Sequence, residues 1–229
     1  MITITALFLI LCLIFAVLNW IAVSIQNRRL EYVAKPATLI LLILWFVSRL
    51  PSDPPSLGWW FLSGLVFSLA GDIFLMLPGD HFLKGLVAFL IAHIAYIITF
   101  NLAGPVLNWT SLLIALVVTC IAVLILRRLV ASMRTAGRTA LVGPVVIYAF
   151  FLGLTLWSAT TTLLRPEWTR FAGWLVAIGG TLFFTSDAAI AWNRFVGPHL
   201  GGRTFEMITY HLAQISLSVG VLMFIAASI

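Results

Sequence analysis

Charge is scarce in this chain. Only 9% of its 229 residues are Asp, Glu, Lys or Arg, and the acids number seven against thirteen bases. A soluble domain of this length has no way to hide a composition that is 62% hydrophobic. With a mean hydropathy of +1.15, most of the surface is expected to face lipid. Cysteine is nearly missing as well. Cys12 and Cys120 both fall inside apolar runs, which excludes a disulfide framework and any CxxC motif and reads them as small core or lipid-facing residues. There is no HExxH, no GxSxG elbow, no Walker A loop and no dinucleotide fingerprint. The net charge of +6 does not point to nucleic acid as a partner, because the basic residues sit in short loops rather than on one face.

What the chain does have is apolar sequence in runs of about 20 residues, the length that crosses a bilayer. Eight spans are expected, at 2–24, 36–50, 58–77, 84–101, 109–126, 140–163, 171–192 and 206–228. The fold class is therefore all-α: a polytopic membrane protein of eight transmembrane helices in a single domain, 1–229. The first run lacks a basic n-region and a small-x-small cleavage site, so it reads as a retained helix. The second is short, with Glu31-Tyr32-Val33 available to extend it. Pro51, Pro54, Pro55, Pro78-Gly79, Gly104-Pro105, Pro166 and Gly197-Pro198 punctuate the ends. Ten of the thirteen bases lie in the loops after spans one, three, five and seven. The positive-inside rule then puts those loops in the cytoplasm and both termini outside, in a bacterial inner (cell) membrane.

Two of the seven acids stand alone in apolar sequence, Asp72 after Gly71 and Asp187 after Ser186. A charge near the centre of a membrane helix costs roughly 2.5–3.5 kcal/mol on the mildest scale, so it persists where a pocket or partner compensates. Both acids fall on the order of 10 Å inside the cytoplasmic boundary, given about 1.5 Å of rise per residue. They are expected to meet across the bundle in one hollow open to the cytoplasmic leaflet.

The halves 1–104 and 105–229 resemble each other. Arg28-Arg29-Leu30 and Arg127-Arg128-Leu129 lead into spans two and six, the acids follow in spans three and seven, and Tyr and His follow in spans four and eight. Four spans per unit would make two parallel repeats. Chance likeness among apolar helices with basic loops is the alternative.

Helical spacing sorts the remaining polar residues. Gly85, Phe89, His93, Tyr96 and Phe100 form one stripe, and Glu206, Tyr210 and Gln214 another, with His211 and Ser218 beside it. Gly173, Gly180 and Asp187 recur every seventh residue, small side chains that admit a close neighbour. Ser68 lies one turn before Asp72. For Tyr96 and Tyr210 the other reading is an interfacial anchor; for His93, His211 and Gln214 it is a hydrogen bond between helices; for the acids it is a structural pair. His81 and His199 are placed in solvated loops, and Asp53, Asp80 and Glu167 at the interface. Only two His lie in spans, so no metal site is expected and no cofactor.

At these residues the chain resembles the lysoplasmalogenase-like (YhhN-type) family of integral membrane proteins. The likeness rests on Lys35-Pro36, Gly71-Asp72 followed by Phe82, Gly85, Phe89, His93 and Tyr96, then Tyr148, Ser186-Asp187 and Tyr210-His211-Leu212-Ala213-Gln214. The resemblance implies hydrolysis of the vinyl-ether bond of lysoplasmalogens to a fatty aldehyde and glycerophospho-ethanolamine or -choline, with Asp72 and Asp187 as catalytic candidates. A vinyl ether hydrolyses by protonation of the alkene carbon, giving an oxocarbenium ion that water captures. Two neighbouring carboxyl groups fit that need, one as proton donor and one as charge stabiliser or base, as in glycosidases. Tyr148, Tyr210, Gln214 and His93 are expected to orient water or glycerol oxygens, and Lys35 and Lys84 to meet the phosphate. Ser68, Tyr96 and His211 complete the substrate-binding set. The partners expected are a lysophospholipid substrate and membrane lipids, with the oligomeric state left open. A small proton-coupled transporter or lipid flippase using the same acids is the alternative from another class, and a structural protein whose acids lock helices a third.

Overall fold

The computed structural model describes residues 3–198 and 201–228. His199, placed above in a loop, lies outside them. Eight α-helices follow in order: α1 Ile4–Ser24, α2 Arg28–Arg49, α3 Ser56–Met76, α4 Phe82–Phe100, α5 Trp109–Thr135, α6 Val142–Thr161, α7 Arg170–Phe195 and α8 Gly202–Ala227. Single 3₁₀ turns flank α6 at Thr139–Leu141 and Thr162–Leu164. All eight, taking α6 with its flanking turns, are long and apolar enough to cross a membrane.

The helices begin where capping chemistry allows. Asn27 accepts from the Leu30 N–H, Asn108 and Ser111 cap α5 reciprocally, and Thr169 accepts from the Ala172 N–H. The second helix starts eight residues before the run expected at 36–50. Its first two turns carry Arg28, Glu31 and Lys35; Arg28 pairs with Glu31 within the helix, while Glu31 and Lys35 are matched by Arg203 of α8 and Asp72 of α3, so the segment stays helical although it is not apolar. α5 likewise runs past Arg127 and Arg128 to Thr135, because a helix need not stop where the apolar run does.

Consecutive helices α1–α2, α3–α4 and α7–α8 form the most extensive antiparallel pairs, and α6 packs between α4 and α7. α8 is the most buried helix and touches α1, α2 and α3 besides α7. α5 is the least buried: of its 27 residues only Ser111, Val118, Leu129 and Met133 are buried. The α3–α4 contact is tight because Gly71 and Gly64 present no side chain. A Cβ on Gly71 would come within 2.5 Å of the Phe89 ring, and one on Gly64 would overlap the Tyr96 ring. On the far side of the bundle, buried Arg165 ties two loops together. It donates to the Gly104 carbonyl at 2.5 Å and to Asn101 Oδ1 at 3.3 Å. Gly104 holds a φ of +89°, which glycine adopts without strain.

Candidate functional site: two polar clusters at one end of the bundle

Asp72 is placed by α3 and is 1% exposed. Its Oδ1 lies 3.0 Å from Lys35 Nζ of α2, and its Oδ2 accepts from the Tyr210 hydroxyl of α8 at 2.8 Å. The network continues inward with a single direction. Gln214 Nε2 donates to the Tyr210 oxygen at 3.4 Å, Tyr96 donates to Gln214 Oε1 at 2.9 Å, and the Ser68 hydroxyl lies 3.3 Å from the Tyr96 oxygen. The Tyr96 proton is committed to Gln214, so Ser68 is the donor there. Every hydroxyl and amide in the series points its proton toward Asp72, which ends it as an acceptor beside an ammonium group. That is the environment of an ionised carboxylate.

Asp187 of α7 sits differently. Its Oδ2 accepts a short hydrogen bond from Tyr148 of α6 and lies 3.3 Å from His93 Nε2 of α4. His93 Nε2 is also 3.0 Å from the Tyr148 oxygen, and its Nδ1 is 3.1 Å from Thr155 Oγ1. The Thr155 hydroxyl gives its proton to the Phe151 carbonyl at 2.9 Å. It therefore accepts from His93, and the network assigns a proton to Nδ1. Asp187 Oδ2 thus has two neighbours able to donate to it, the Tyr148 hydroxyl and His93 Nε2. Among the described residues no Lys or Arg pairs with Asp187, in contrast to Asp72.

The two acids do not share one hollow, contrary to expectation. Phe183 stands between their clusters, its ring centroid 4.9 Å from His93, 5.6 Å from Tyr210 and 6.1 Å from Tyr96, with Phe89 beside it at 6.3 Å. The carboxyl groups are not hydrogen-bonded to each other, but Asp72 lies within reach of the charge of Asp187. The surroundings of the two acids differ: Asp72 is paired with Lys35, whereas Asp187 meets Tyr148 and His93.

Asp187 also lines space. Two chambers of about 40 Å³ meet at Tyr148 and Asp187. One shares Ala122, Leu126 and Ala149 with an apolar groove of about 450 Å³ between α5 and α6. The other shares Leu75, Phe82 and Ile190 with a polar vestibule of about 290 Å³, where Lys35, Arg194, Arg203, Asn193 and Glu206 stand. Groove, chambers and vestibule thus adjoin in that order through the wall residues they share.

Of the other expected site residues, Ser68, Tyr96, Tyr148, Tyr210, Gln214, His93 and Lys35 fall in these clusters. Two do not. Lys84 is exposed beside a separate groove between α3 and α4, next to Asp80 and His81; it is one position off the buried Gly85 stripe and so faces away. His211 turns toward α1, where Trp20 Nε1 donates to its Nδ1 at 3.0 Å. Thr155, which sets the His93 tautomer, was not singled out from the sequence, although it lies two turns after Tyr148 on the same face. Arg194 and Arg203 were read only as loop charges. Outside the spans, the Phe82 backbone N–H and the Arg194 guanidinium hold the Asp80 carboxyl below the usual carboxylate range. Among the described residues no three His, Cys, Asp or Glu side chains gather as a metal site.

Eight apolar helices enclosing ionisable side chains define a polytopic membrane protein built around an internal polar site. The chain belongs to the YhhN family, which it matches over residues 30–221. It is similar to lysoplasmalogenase TMEM86B of Mus musculus, 29% identical over 207 residues that cover 89% of this chain and 76% of the relative. The same protein of Rattus norvegicus is 30% identical over 189 residues, 82% of this chain and 70% of the relative. Lysoplasmalogenase TMEM86A of Homo sapiens is 32% identical over 162 residues, 68% and 62% of the two chains. No solved structure matches the chain.

Proposed function

We propose that the protein is a membrane-embedded hydrolase that cleaves the vinyl-ether bond of lysoplasmalogens, with Asp187 as the proton donor. The observation that carries this is the place of Asp187, held by Tyr148 and His93 and with no Lys or Arg partner among the described residues, in the wall of the chambers that lie between an apolar groove and a charged vestibule. The names of the relatives support the same substrate class.

In this reading the alkenyl chain lies in the groove between α5 and α6, and the vinyl ether reaches the chambers at Tyr148. The Asp187 cluster gives its proton to the alkene carbon, leaving an oxocarbenium ion on the carbon bonded to oxygen. Water adds to that carbon and returns a proton to the cluster. The resulting hemiacetal loses its hydroxyl proton as the ether oxygen gains one, releasing fatty aldehyde and a free glycerol hydroxyl. Overall one water is consumed and the cluster is restored. Asp72 keeps its negative charge through Lys35 and Tyr210, and that charge favours the passing cation across a low-dielectric interior. His93 and Tyr148 hold the donor in place; Ser68, Tyr96, Gln214 and Tyr210 hold Asp72.

In this reading the vestibule opens on the cytoplasmic side and both termini lie outside, which the distribution of basic residues over the loops supports. Purified protein in detergent, where no gradient exists for a transporter to use, is expected to release aldehyde from a lysoplasmalogen. Asp187→Asn should lower the rate by roughly 10²–10⁴-fold, the scale of a lost general acid, while the protein stays folded. Full activity of Asp187→Asn would remove the proposed donor.

A further inference from the structure

Besides Lys35, the vestibule has charges that the reaction at Asp187 does not use, those of Arg194, Arg203 and Glu206. It is formed at one end of the bundle by the start of α2, the end of α3, the start of α4, the end of α7 and the start of α8. Three cations face into it: Lys35, Arg194 and Arg203. Each has an acidic partner that is not part of the wall. Lys35 has Asp72, Arg203 has Glu31 with a short bond and a second contact of 3.4 Å, and Arg194 reaches Asp80 through Nη2 alone at 2.8 and 2.9 Å. A guanidinium has five N–H donors in a planar fork, so such pairing leaves donors for a further anion. One acid shares the wall, Glu206, whose Oε1 accepts from Asn193 Nδ2 at 3.1 Å.

We infer that this vestibule is a headgroup subsite for a zwitterionic phosphodiester: Arg203, Arg194 and Lys35 take the phosphate oxygens, and Glu206, steadied by Asn193, takes the ammonium. The inference rests on the lysophospholipid reading above and assigns it residues. The order of the cavities supplies the second argument. A lysoplasmalogen carries, in sequence, an apolar chain, a vinyl ether, a glycerol, a phosphate and an ammonium. Groove, chamber and vestibule follow in that same order, and Leu75, Phe82 and Ile190 line both the chamber and the vestibule. Phosphate recognition by paired guanidinium groups is geometric as well as electrostatic, which suits a site that must set the depth of the bond to be cleaved.

The test measures binding, not turnover. The probe is a saturated 1-O-alkyl lysophosphocholine in neutral detergent, which has no vinyl ether to hydrolyse, so failure of the hydrolase reading would show separately as no aldehyde from the alkenyl lipid. Wild-type protein is expected to bind this probe about tenfold or more tightly than the 1-O-alkylglycerol of equal chain length. Arg203→Gln and Arg194→Gln should each remove about tenfold of the affinity for the probe and none for the alkylglycerol. Glu206→Gln should weaken the probe and spare 1-O-alkyl lysophosphatidic acid, which lacks the ammonium. Equal binding of probe and alkylglycerol by the wild-type chain overturns the assignment, and that comparison needs no variant to fold. Equal loss on both lipids in the arginine variants overturns it too. Inorganic phosphate at about 10 mM should leave probe binding unchanged; full competition would assign the cations to a soluble anion and overturn the lipid headgroup.

Discussion

Lys35 Nζ of α2 and Asp72 Oδ1 of α3 lie 3.0 Å apart, with both side chains almost wholly out of contact with solvent. Two such ions are costly to bury, and breaking the pair is costlier than replacing it, because one charge is left without compensation. Asp72→Asn is therefore expected to destabilise the protein by about 3–5 kcal/mol, read as a lowered unfolding temperature in detergent. Lys35→Met combined with Asp72→Asn should recover most of that loss and remain inactive. A single Asp72→Asn variant as stable as the wild type would contradict the ionised pair.

Thr155 holds the His93 tautomer by accepting from Nδ1. Thr155→Val keeps the shape and deletes the acceptor. Activity on a lysoplasmalogen is expected to fall on the order of ten- to a hundredfold, by analogy with partners that hold a metal-bound histidine, with KM little changed. Thr155→Ser should restore it. A loss carried by KM alone would assign Thr155 to substrate binding instead.

Ala149 lines both the α5–α6 groove and the chamber beside Asp187. Ala149→Trp should fill that junction. Substrates with a long alkenyl chain are expected to lose roughly tenfold or more in kcat/KM, about 1.4 kcal/mol, whereas a short-chain vinyl ether keeps its rate. Equal loss on both chain lengths would argue against the groove as the seat of the chain.

Asp80 lies outside the membrane spans, and its carboxyl is held below the usual range by the Phe82 N–H first and Arg194 second. A group whose folded-state value is depressed contributes stability above its unfolded value of 3.8 and loses it as pH falls through the folded one. The difference in unfolding temperature between wild type and Asp80→Asn should thus be constant from about pH 5 to 8 and shrink only in stronger acid. A difference that varies across neutral pH would exclude this ion pair as its source.

Much of the architecture was legible in the residues because lipid imposes a length on apolar runs, and all eight appeared. The start of α2 was legible only as an optional extension to Glu31, because Glu31 and Lys35 look unlike membrane sequence until their partners Arg203 and Asp72 are known. The site was legible in its unusual members: a lone Asp, His or Tyr in an apolar run stands out. The separation of Asp72 from Asp187 was not, since it depends on where Phe183 places its ring. Thr155 was hidden among ordinary helix-compatible threonines. Lys84 and His211 lie outside the two clusters because about 100° of helical rotation per residue turns each away from its neighbour on the site face, Gly85 and Tyr210.

α5 keeps few ties to the rest of the bundle yet is 27 residues long, about 40 Å at 1.5 Å of rise per residue. The hydrocarbon layer is nearer 30 Å and matches the apolar stretch 109–126, so the turns from Arg127 onward project beyond it. The tilt of α5 sets the width of the crevice it shares with α6. A bilayer thinner or thicker than that stretch is expected to change this tilt, and with it the opening by which a lipid chain would reach the chambers.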